Sequence, residues 1–322
     1  MHIGRLALAA FALAGWSTAN AQQATPCDRA CLIELTDNYI AGFAAHSAAG
    51  VPLAADAKIV ENVKAIALGE GLWRDATGGA TQFSIHVPDV ANQTAGWLGM
   101  IERAGKPAIV ALRLKLDAQG RIAEAEHLYA EISAAGQLAQ LQTVRPGLLA
   151  DVAPNARRSH EELISIGASY YDALDDNDGT LMPFAAECER HENGMITAGP
   201  GPRVGPGPNA NTAPIARDCA GQLTSQVMAY ITTIDNRRVF AADPQTGLVM
   251  GLSHFRHPMD FAPYEVTALD GSKILYDKTR LPFEPFDLPA AHIYKVGADG
   301  KVYEIEAMGF RADLNSPSGW ED

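Results

Sequence analysis

The chain has 322 residues with 25 basic and 38 acidic side chains, which gives a formal net charge of −13 at pH 7. Nucleic acids and anionic lipids bind to basic surfaces, so this acidic balance argues against both as partners. The length is sufficient for two domains with ordinary hydrophobic cores.

The first residues have the pattern of an export signal. Arg5 is followed by an apolar run from Leu6 to Trp16 and by the small-residue pattern Ala19-Asn20-Ala21. A signal peptidase recognises such a pattern, and the apolar run is far shorter than the roughly 20 residues that span a bilayer. We therefore predict that residues 1–21 are a cleaved signal peptide and that the protein is exported, either periplasmic or secreted.

One stretch of sequence occurs twice. The segments 52–62 and 183–193 lie 131 positions apart and share Pro, Ala, Ala, Glu and Asn at matching places. Two further pairs occur in the same order, namely Tyr39–Phe43 with Tyr170–Leu174 and Gly120–Glu126 with Gly300–Glu306. Three collinear matches indicate two homologous modules, which we place at residues 22–135 and 158–314 with a linker at 136–157.

Each module is predicted to begin with a helix and to continue with strands. The first helix runs from Asp28 to about His46 with Asp28 as its cap, and the second from Ser159 to about Asp176 with Ser159 and Glu162 as a capping box. Strands are predicted at 57–63, 96–102, 107–116 and 121–131, and then at 230–241, 247–257, 291–296 and 301–312, with a further helix at 219–228.

This order predicts an α+β fold with two cone-like modules, each with helices packed on a curved antiparallel sheet that leaves a cavity between them. The second module also contains an insertion, residues 199–214, in which nine of sixteen positions are Gly or Pro. We expect this insertion to form a loop over the cavity.

The four cysteines are Cys27, Cys31, Cys188 and Cys219. In an oxidising compartment an even number suggests two disulfides, for which three pairings are possible. We favour Cys27 with Cys31 and Cys188 with Cys219, because each pair then lies within one module. A Cys-x3-Cys spacing without a matching second pair is weak evidence for zinc.

The repeated residues resemble a known family. The Tyr-x-x-(Ala/Gly)-(Phe/Leu) pattern, the Ala-Ala-Asp/Glu segment, the Glu-Asn ending and the Asp-x-x-Gly-Arg-Ile turn are similar to the nuclear transport factor 2-like superfamily, in its ketosteroid isomerase and SnoaL-like branch. The resemblance implies that Tyr39 and Tyr170 donate hydrogen bonds to a substrate. It also places Asn62 and Asn193 where the isomerases have a catalytic Asp, and Asn cannot act as a general base.

Strand alternation predicts the candidate base. If Asn193 faces the cavity, Glu189 and His191 face it as well, whereas the first module has Val60 in place of His191. An unperturbed imidazole suits proton transfer at neutral pH. We therefore predict His191, Tyr170 and Asn193 as catalytic residues; the alternative is a His191 that only hydrogen-bonds within the sheet.

Further polar residues of the second module are candidates for substrate binding. His254 and His257 should point to opposite faces of one strand, so at most one of them enters the cavity. The complete set of candidates is His254, Arg256, His257, His292 and Tyr294. Solvated strand ends are the alternative for the first three. In the first module, Trp73 and His86 could line a second cavity.

We expect neither a metal nor a cofactor. The second module has no His-x-His or His-x3-His spacing, and the chain contains neither a phosphate-binding loop nor a Gly-x-Ser-x-Gly nucleophile elbow. The Gly199-Pro-Gly-Pro202 segment is too rich in proline to offer the backbone amides that a phosphate needs.

Together these features predict a cofactor-independent lyase, dehydratase or isomerase that acts by proton transfer on a hydrophobic, aromatic small molecule. Scytalone dehydratase and the bacterial γ-formaldehyde lyases that act on lignin-derived diaryl compounds are similar in kind, which suggests formaldehyde elimination as one reaction. The alternatives are a non-catalytic periplasmic binding protein for an apolar ligand and a purely structural scaffold. Modules of this superfamily often pair through their sheets, so a homo-oligomer is also expected.

Overall fold

The computed structural model describes residues 25–199 and 218–321. The predicted signal peptide and all of the Gly/Pro-rich insertion after Gly199 lie outside these residues. The helices are α1 Arg29–Ala45, α2 Leu72–Asp75, α3 Ala135–Gln140, α4 Pro146–Leu149, α5 His160–Asp175 and α6 Cys219–Thr224, with one 3-10 turn at Pro154–Ala156.

The strands form two large sheets and one small hairpin, and the fold is α+β. The first sheet contains β1 Leu53–Glu61, β2 Lys64–Ile66, β3 Ala76–Gly78, β4 Ser84–Asp89, β5 Thr94–Arg103, β6 Lys106–Leu116 and β7 Ile122–Glu131. The second contains β8 Phe184–Glu192, β9 Met195–Ala198, β10 Thr233–Asp243, β11 Leu248–His257, β14 Phe286–Val296 and β15 Val302–Gly309. The hairpin consists of β12 Tyr264–Thr267 and β13 Lys273–Tyr276.

The two large sheets have the same strand order and register. The first runs β2-β1-β7-β6-β5 with β3 and β4 both paired to β5, and the second runs β9-β8-β15-β14-β11-β10. Leu53 lies opposite Ile122 in the first sheet, and Phe184 lies opposite Val302 in the second. In the sequence repeat Phe184 is the counterpart of Leu53, and Val302 is the counterpart of Ile122. A register shift follows at the same place in both sheets, between Leu53 and Lys58 of β1 and between Phe184 and Glu189 of β8.

The prediction of purely antiparallel sheets was wrong. The pair β1 and β7 is parallel, and so is the pair β15 and β8. In the first sheet β7 pairs with the edge of β1 that β2 leaves open, and it runs in the same direction as β1. In the second sheet β15 pairs in the same way with the edge of β8 that β9 leaves open. Both sheets are therefore mixed.

The elements stack as helix, sheet, sheet, helix. Helix α1 packs on one face of the first sheet through Tyr39 and Phe43, and α5 packs on the second sheet through Tyr170 and Leu174. The other face of each sheet, which its helix does not cover, packs against the other sheet. These two faces form a third apolar cluster, which includes Leu98, Ile109, Met250 and Ile293. These strands carry apolar side chains on both faces because both faces are covered.

Polar contacts also join the two sheets. Arg238 on β10 donates two hydrogen bonds of 2.6 and 2.7 Å to the carboxylate of Glu126 on β7, whose side chain is only 2% exposed. Close approach of the sheets depends on Gly96, since a Cβ there would lie 2.7 Å from the sulfur of Met250. At the C-terminal end, the carbonyl of Trp320 accepts a hydrogen bond from Lys58 on β1.

Local predictions based on helix caps were confirmed. The side chain of Asp28 accepts a hydrogen bond from the Cys31 amide, and Ser159 and Glu162 form a capping box. The favoured cysteine pairing is also present, with Cys27 bonded to Cys31 and Cys188 to Cys219.

Three regions differ from the prediction. The linker region contains α3, α4 and the 3-10 turn, and the unassigned stretch 69–94 contains α2, β3 and β4. The helix that begins at Cys219 ends at Thr224, four residues earlier than expected.

Candidate functional site

A cavity of about 100 Å³ lies between α5, α6 and the face of the second sheet on which α5 packs. Its wall is mostly apolar, with contributions from Leu174, Leu223, Met228, Phe255 and Ile305. Seven polar side chains also line it, namely Tyr170, Arg190, Glu192, Gln222, Tyr230, His257 and His292. An apolar wall with a few convergent polar groups is typical of a small-molecule site.

Strand β8 places an ion pair in this cavity. Arg190 and Glu192 point inward, and the Arg190 guanidinium donates to the Glu192 carboxylate over 2.5 Å and to the Thr197 hydroxyl over 2.7 Å. Cys188 lies on the same side of β8, and its disulfide joins this strand to Cys219 of α6 in the cavity wall. The disulfide therefore holds two walls of the site together.

The prediction that His191 faces the cavity was wrong. Its ring lies on the opposite face of β8, where it is hydrogen-bonded to Glu189. Burial is the main reason that the pKa of His191 is lowered, and the positive charge of Arg145 lowers it further. His191 belongs to a buried polar cluster between the sheet and the linker, so we do not place it in the site.

Asn193 is also outside the cavity, because it forms the turn of the β8–β9 hairpin. It has a φ of 50° and is followed by Gly194 with a φ of 74°, as a tight hairpin turn requires. Its side chain exchanges hydrogen bonds with the backbone of Gly309, over 2.8 Å to the carbonyl and 3.2 Å from the amide. Asn62 makes the same two contacts with Tyr129, so the repeated Asn is a structural residue.

Tyr170 lines the cavity from α5, as predicted. Burial raises the pKa of its hydroxyl, and the nearby positive charge of Arg190 acts in the opposite direction. A phenol in this environment stays protonated at neutral pH and can donate a hydrogen bond. The arrangement therefore places a donor close to the Arg190–Glu192 pair.

The two cavity histidines are neutral at neutral pH. Burial lowers the pKa of His257 to about 4, and it lowers that of His292 well below the ordinary value. The Nδ1 of His257 donates to the carbonyl of Phe255 over 3.0 Å, which leaves Nε2 with a free electron pair. The Nδ1 of His292 is buried and has no hydrogen-bond partner among the described residues.

The remaining predicted binding residues lie elsewhere. His254 and Arg256 are on the face of β11 opposite to Phe255 and His257, so only one of the two β11 histidines enters the cavity, as alternation predicts. Arg256 forms ion pairs with Asp235 and Asp287. Tyr294 is buried beside Tyr170 at a ring distance of 5.3 Å, in the core and not in the cavity wall.

The corresponding space in the first sheet is filled. Glu61, the counterpart of Glu192, accepts hydrogen bonds from His127 over 3.2 Å and from the Leu72 amide over 2.9 Å. The other ring nitrogen of His127 is hydrogen-bonded to the Tyr39 hydroxyl over 2.8 Å. Trp73, 2% exposed, packs edge-on against Tyr39 and Phe43 at 5.0 Å from each. The second candidate of this module, His86, bonds Asp37.

Sequence reasoning missed Arg190 and Glu192. A signal for Glu192 was present, because the repeat conserves Glu at positions 61 and 192 as well as Asn at the next position. The strand alternation was counted from the Asn, which lies in the turn, and a shift of one residue exchanges the two faces of a strand.

A wider depression of about 550 Å³ lies on the first sheet beside α3, with Gly78, Met100, Glu102 and Leu138 among its lining residues. Glu102 is its one titratable side chain among the described lining residues. It therefore offers much less for chemistry than the cavity of the second sheet.

A family model matches the second part of the chain. Residues 156–309 match the model of a family described as a domain of unknown function, DUF8021. This range extends from just before α5 to the end of β15 and so includes the whole second sheet and its cavity. No curated protein matches the chain.

Two further properties concern the described residues alone. No group of three or more His, Cys, Asp or Glu side chains within 25–199 and 218–321 is arranged to hold a metal ion. No helix in those ranges is both long and apolar enough to cross a membrane.

Proposed function

We propose that the second sheet and α5 form a nuclear transport factor 2-like module, and that its cavity catalyses proton transfer without a cofactor. The support for the fold is the tyrosine-bearing helix packed on a curled sheet, with a cavity between them. The first sheet and α1 would then be a second module of the same kind, whose cavity is filled by Trp73.

The proposed chemistry rests on Glu192, a carboxylate in a mostly apolar cavity beside protonated hydrogen-bond donors. The carboxylate removes a proton from a carbon next to a carbonyl group, and the electron pair of that C–H bond moves onto the carbonyl oxygen. Tyr170 donates a hydrogen bond to the oxyanion that forms. Return of the proton to another carbon completes an isomerisation, and loss of a leaving group completes an elimination.

The neutral histidines fit this chemistry. His257 presents a free electron pair on Nε2 and can accept a proton, whereas an imidazolium could not. His292, which also stays neutral, has one N–H group that it can donate to the substrate. The reaction class is therefore a lyase, dehydratase or isomerase that acts on a small hydrophobic molecule.

The volume of the cavity limits the substrate. A dry cavity that accepts benzene measures about 150 Å³, larger than the 100 Å³ present here. A single aromatic ring therefore enters only if a flexible side chain such as Met228 shifts. A diaryl compound requires a much larger expansion, so we propose a substrate with at most one ring.

The test is hydrogen exchange in D₂O, followed by proton NMR on small carbonyl compounds such as butanone and phenylacetone. If Glu192 moves the proton, Glu192→Gln lowers the exchange rate by about a hundredfold or more. Glu61→Gln, at the matching position of the first sheet, is the control and leaves the rate unchanged. An exchange rate in Glu192→Gln equal to that of the unaltered protein would show that Glu192 is not the base.

The second candidate function is a binding protein for a small apolar ligand, which the largely apolar cavity wall favours. A ligand that binds in the cavity without proton exchange, and with equal affinity for Glu192→Gln, would support this function instead.

A further inference from the structure

Beyond the reaction class, the cavity carries a feature that concerns the substrate itself. Arg190 lines a mostly apolar wall, and its side chain is only 12% exposed. A guanidinium has five N–H donors. Two nitrogens bond Glu192 and Thr197, but Nε is buried and has no hydrogen-bond partner among the described residues.

A second unmet polar group lies close to the first. The buried Nδ1 of His292 also lacks a partner in the described ranges. The charge of Arg190 contributes to the lowered pKa of His292, which places the two groups near each other in the same cavity. A buried polar group without a hydrogen-bond partner is costly, so two of them in one cavity favour a site that a ligand completes.

We propose that the ligand is a small organic acid, in which a carboxylate is attached to a short apolar body. This inference rests on the proposed site and names its substrate class. One carboxylate oxygen accepts from Arg190, the residue type best suited to carboxylate recognition, and the other accepts from His292. The apolar body then lies against Phe255 and Ile305.

The geometry also gives Glu192 two roles. In the structure Glu192 balances the charge of Arg190. An incoming carboxylate competes for the same guanidinium and repels the Glu192 carboxylate, so it makes Glu192 more available to the neighbouring C–H group than an uncharged ligand does. A planar acid of four carbons has six non-hydrogen atoms, whereas benzoate has nine, so the smaller acid suits the cavity of about 100 Å³ better than an aromatic acid does.

The experiment compares an acid with its uncharged counterpart of the same shape. The binding of crotonate and crotonamide, and of benzoate and benzamide as the larger pair, is measured by titration calorimetry on the full chain. Crotonate binds, and crotonamide binds at least about tenfold more weakly, because the amide offers no charge to Arg190.

Two variants test the role of each partner. Arg190→Met reduces crotonate affinity by about tenfold or more, whereas Arg237→Met, which removes a surface arginine paired with Asp172 and Asp175, leaves it unchanged. Glu192→Gln increases crotonate affinity, because it removes the competing carboxylate, and does not alter that of the amide. If Arg190→Met does not fold, the Glu192→Gln result alone decides.

The outcomes separate this inference from the proposed function. Equal affinities for acid and amide, or a weaker crotonate complex in Glu192→Gln, would overturn the organic-acid proposal. Hydrogen exchange that depends on Glu192 would in that case still support proton transfer. If neither crotonate nor crotonamide binds, the organic-acid proposal is overturned. If the unaltered protein also fails to catalyse hydrogen exchange on the ketones, the proposed function is overturned as well.

Discussion

Glu61 and Glu192 occupy the same register position in the two sheets, where Glu61 lies opposite His127 and Glu192 lies opposite Ala307. His127 fixes Glu61 in a hydrogen-bonded core, whereas the small Ala307 leaves open space beside Glu192. In the second half the imidazole instead comes from His292, directly across from Ala307 on the next strand. One sheet position thus supports a packed core in the first half and a cavity in the second.

Asn193→Ala should destabilise the protein without a direct effect on chemistry. The change removes two hydrogen bonds to Gly309 and forces Ala into positive φ, with a combined cost of about 2–4 kcal/mol. Chemical denaturation measures this cost, and Asn62→Ala should give a similar value. A stable Asn193→Ala protein that has lost turnover would instead return Asn193 to the site.

Glu306→Gln should change how stability depends on pH. Burial raises the pKa of Glu306 from 4.5 to about 7, against the opposing charge of Arg145, and the nearby Glu304 and Glu189 raise it further. Since the folded pKa lies above the unfolded one, its stabilising contribution is complete below about pH 4.5 and is lost as the pH rises to about 7.

The size of this contribution is at most roughly 3 kcal/mol. The free energy of unfolding is measured from pH 4.5 to 8 for the unaltered chain and for Glu306→Gln. The difference between the two should move in favour of the variant as the pH rises. The exposed Glu265→Gln is the control, and a Glu306→Gln curve parallel to that of the unaltered chain would contradict the assignment.

Arg238→Met should weaken the contact between the two sheets. It leaves the buried carboxylate of Glu126 without a partner, which costs about 3–5 kcal/mol. The double change Arg238→Met with Glu126→Leu should recover most of this loss, because no buried charge remains. Arg237→Met, which breaks two surface ion pairs and one hydrogen bond to the Ile234 carbonyl, should cost at most about 2 kcal/mol. Equal losses in Arg238→Met and Arg237→Met would show that the inter-sheet pair is not important for stability.

The two disulfides should differ in their effect on stability. Cys188 and Cys219 are 31 residues apart, and Cys27 and Cys31 are 4 apart. Loop-closure entropy predicts losses of about 4 and about 2 kcal/mol when each pair is changed to serine. Removal of the Cys188–Cys219 disulfide should also weaken ligand binding, since this disulfide links β8 to α6 beside the cavity. Unchanged binding would mean that packing alone holds these walls.

Local sequence signals predicted the beginnings of both long helices, because caps such as Asp28 and the Ser159–Glu162 box depend on neighbouring residues only. The repeat predicted the equivalence of the strands that follow each helix, because matching residues occur in the same order in both parts of the chain. The inward-facing residues of β8 were not predicted, since that step required knowing that Asn193 lies in the turn. The packing of sheet on sheet was also missed, because strands such as 107–116 are apolar on both faces and show no alternation.

The shared apolar layer between the two sheets has an evolutionary consequence. A pair of modules assembled from identical chains must carry the same residue at each position in both partners. Here both sheets belong to one polypeptide, so their association does not depend on protein concentration, and the two need not carry the same residues. The first sheet has Trp73 in a filled core, and the second has a cavity with Glu192 in its wall.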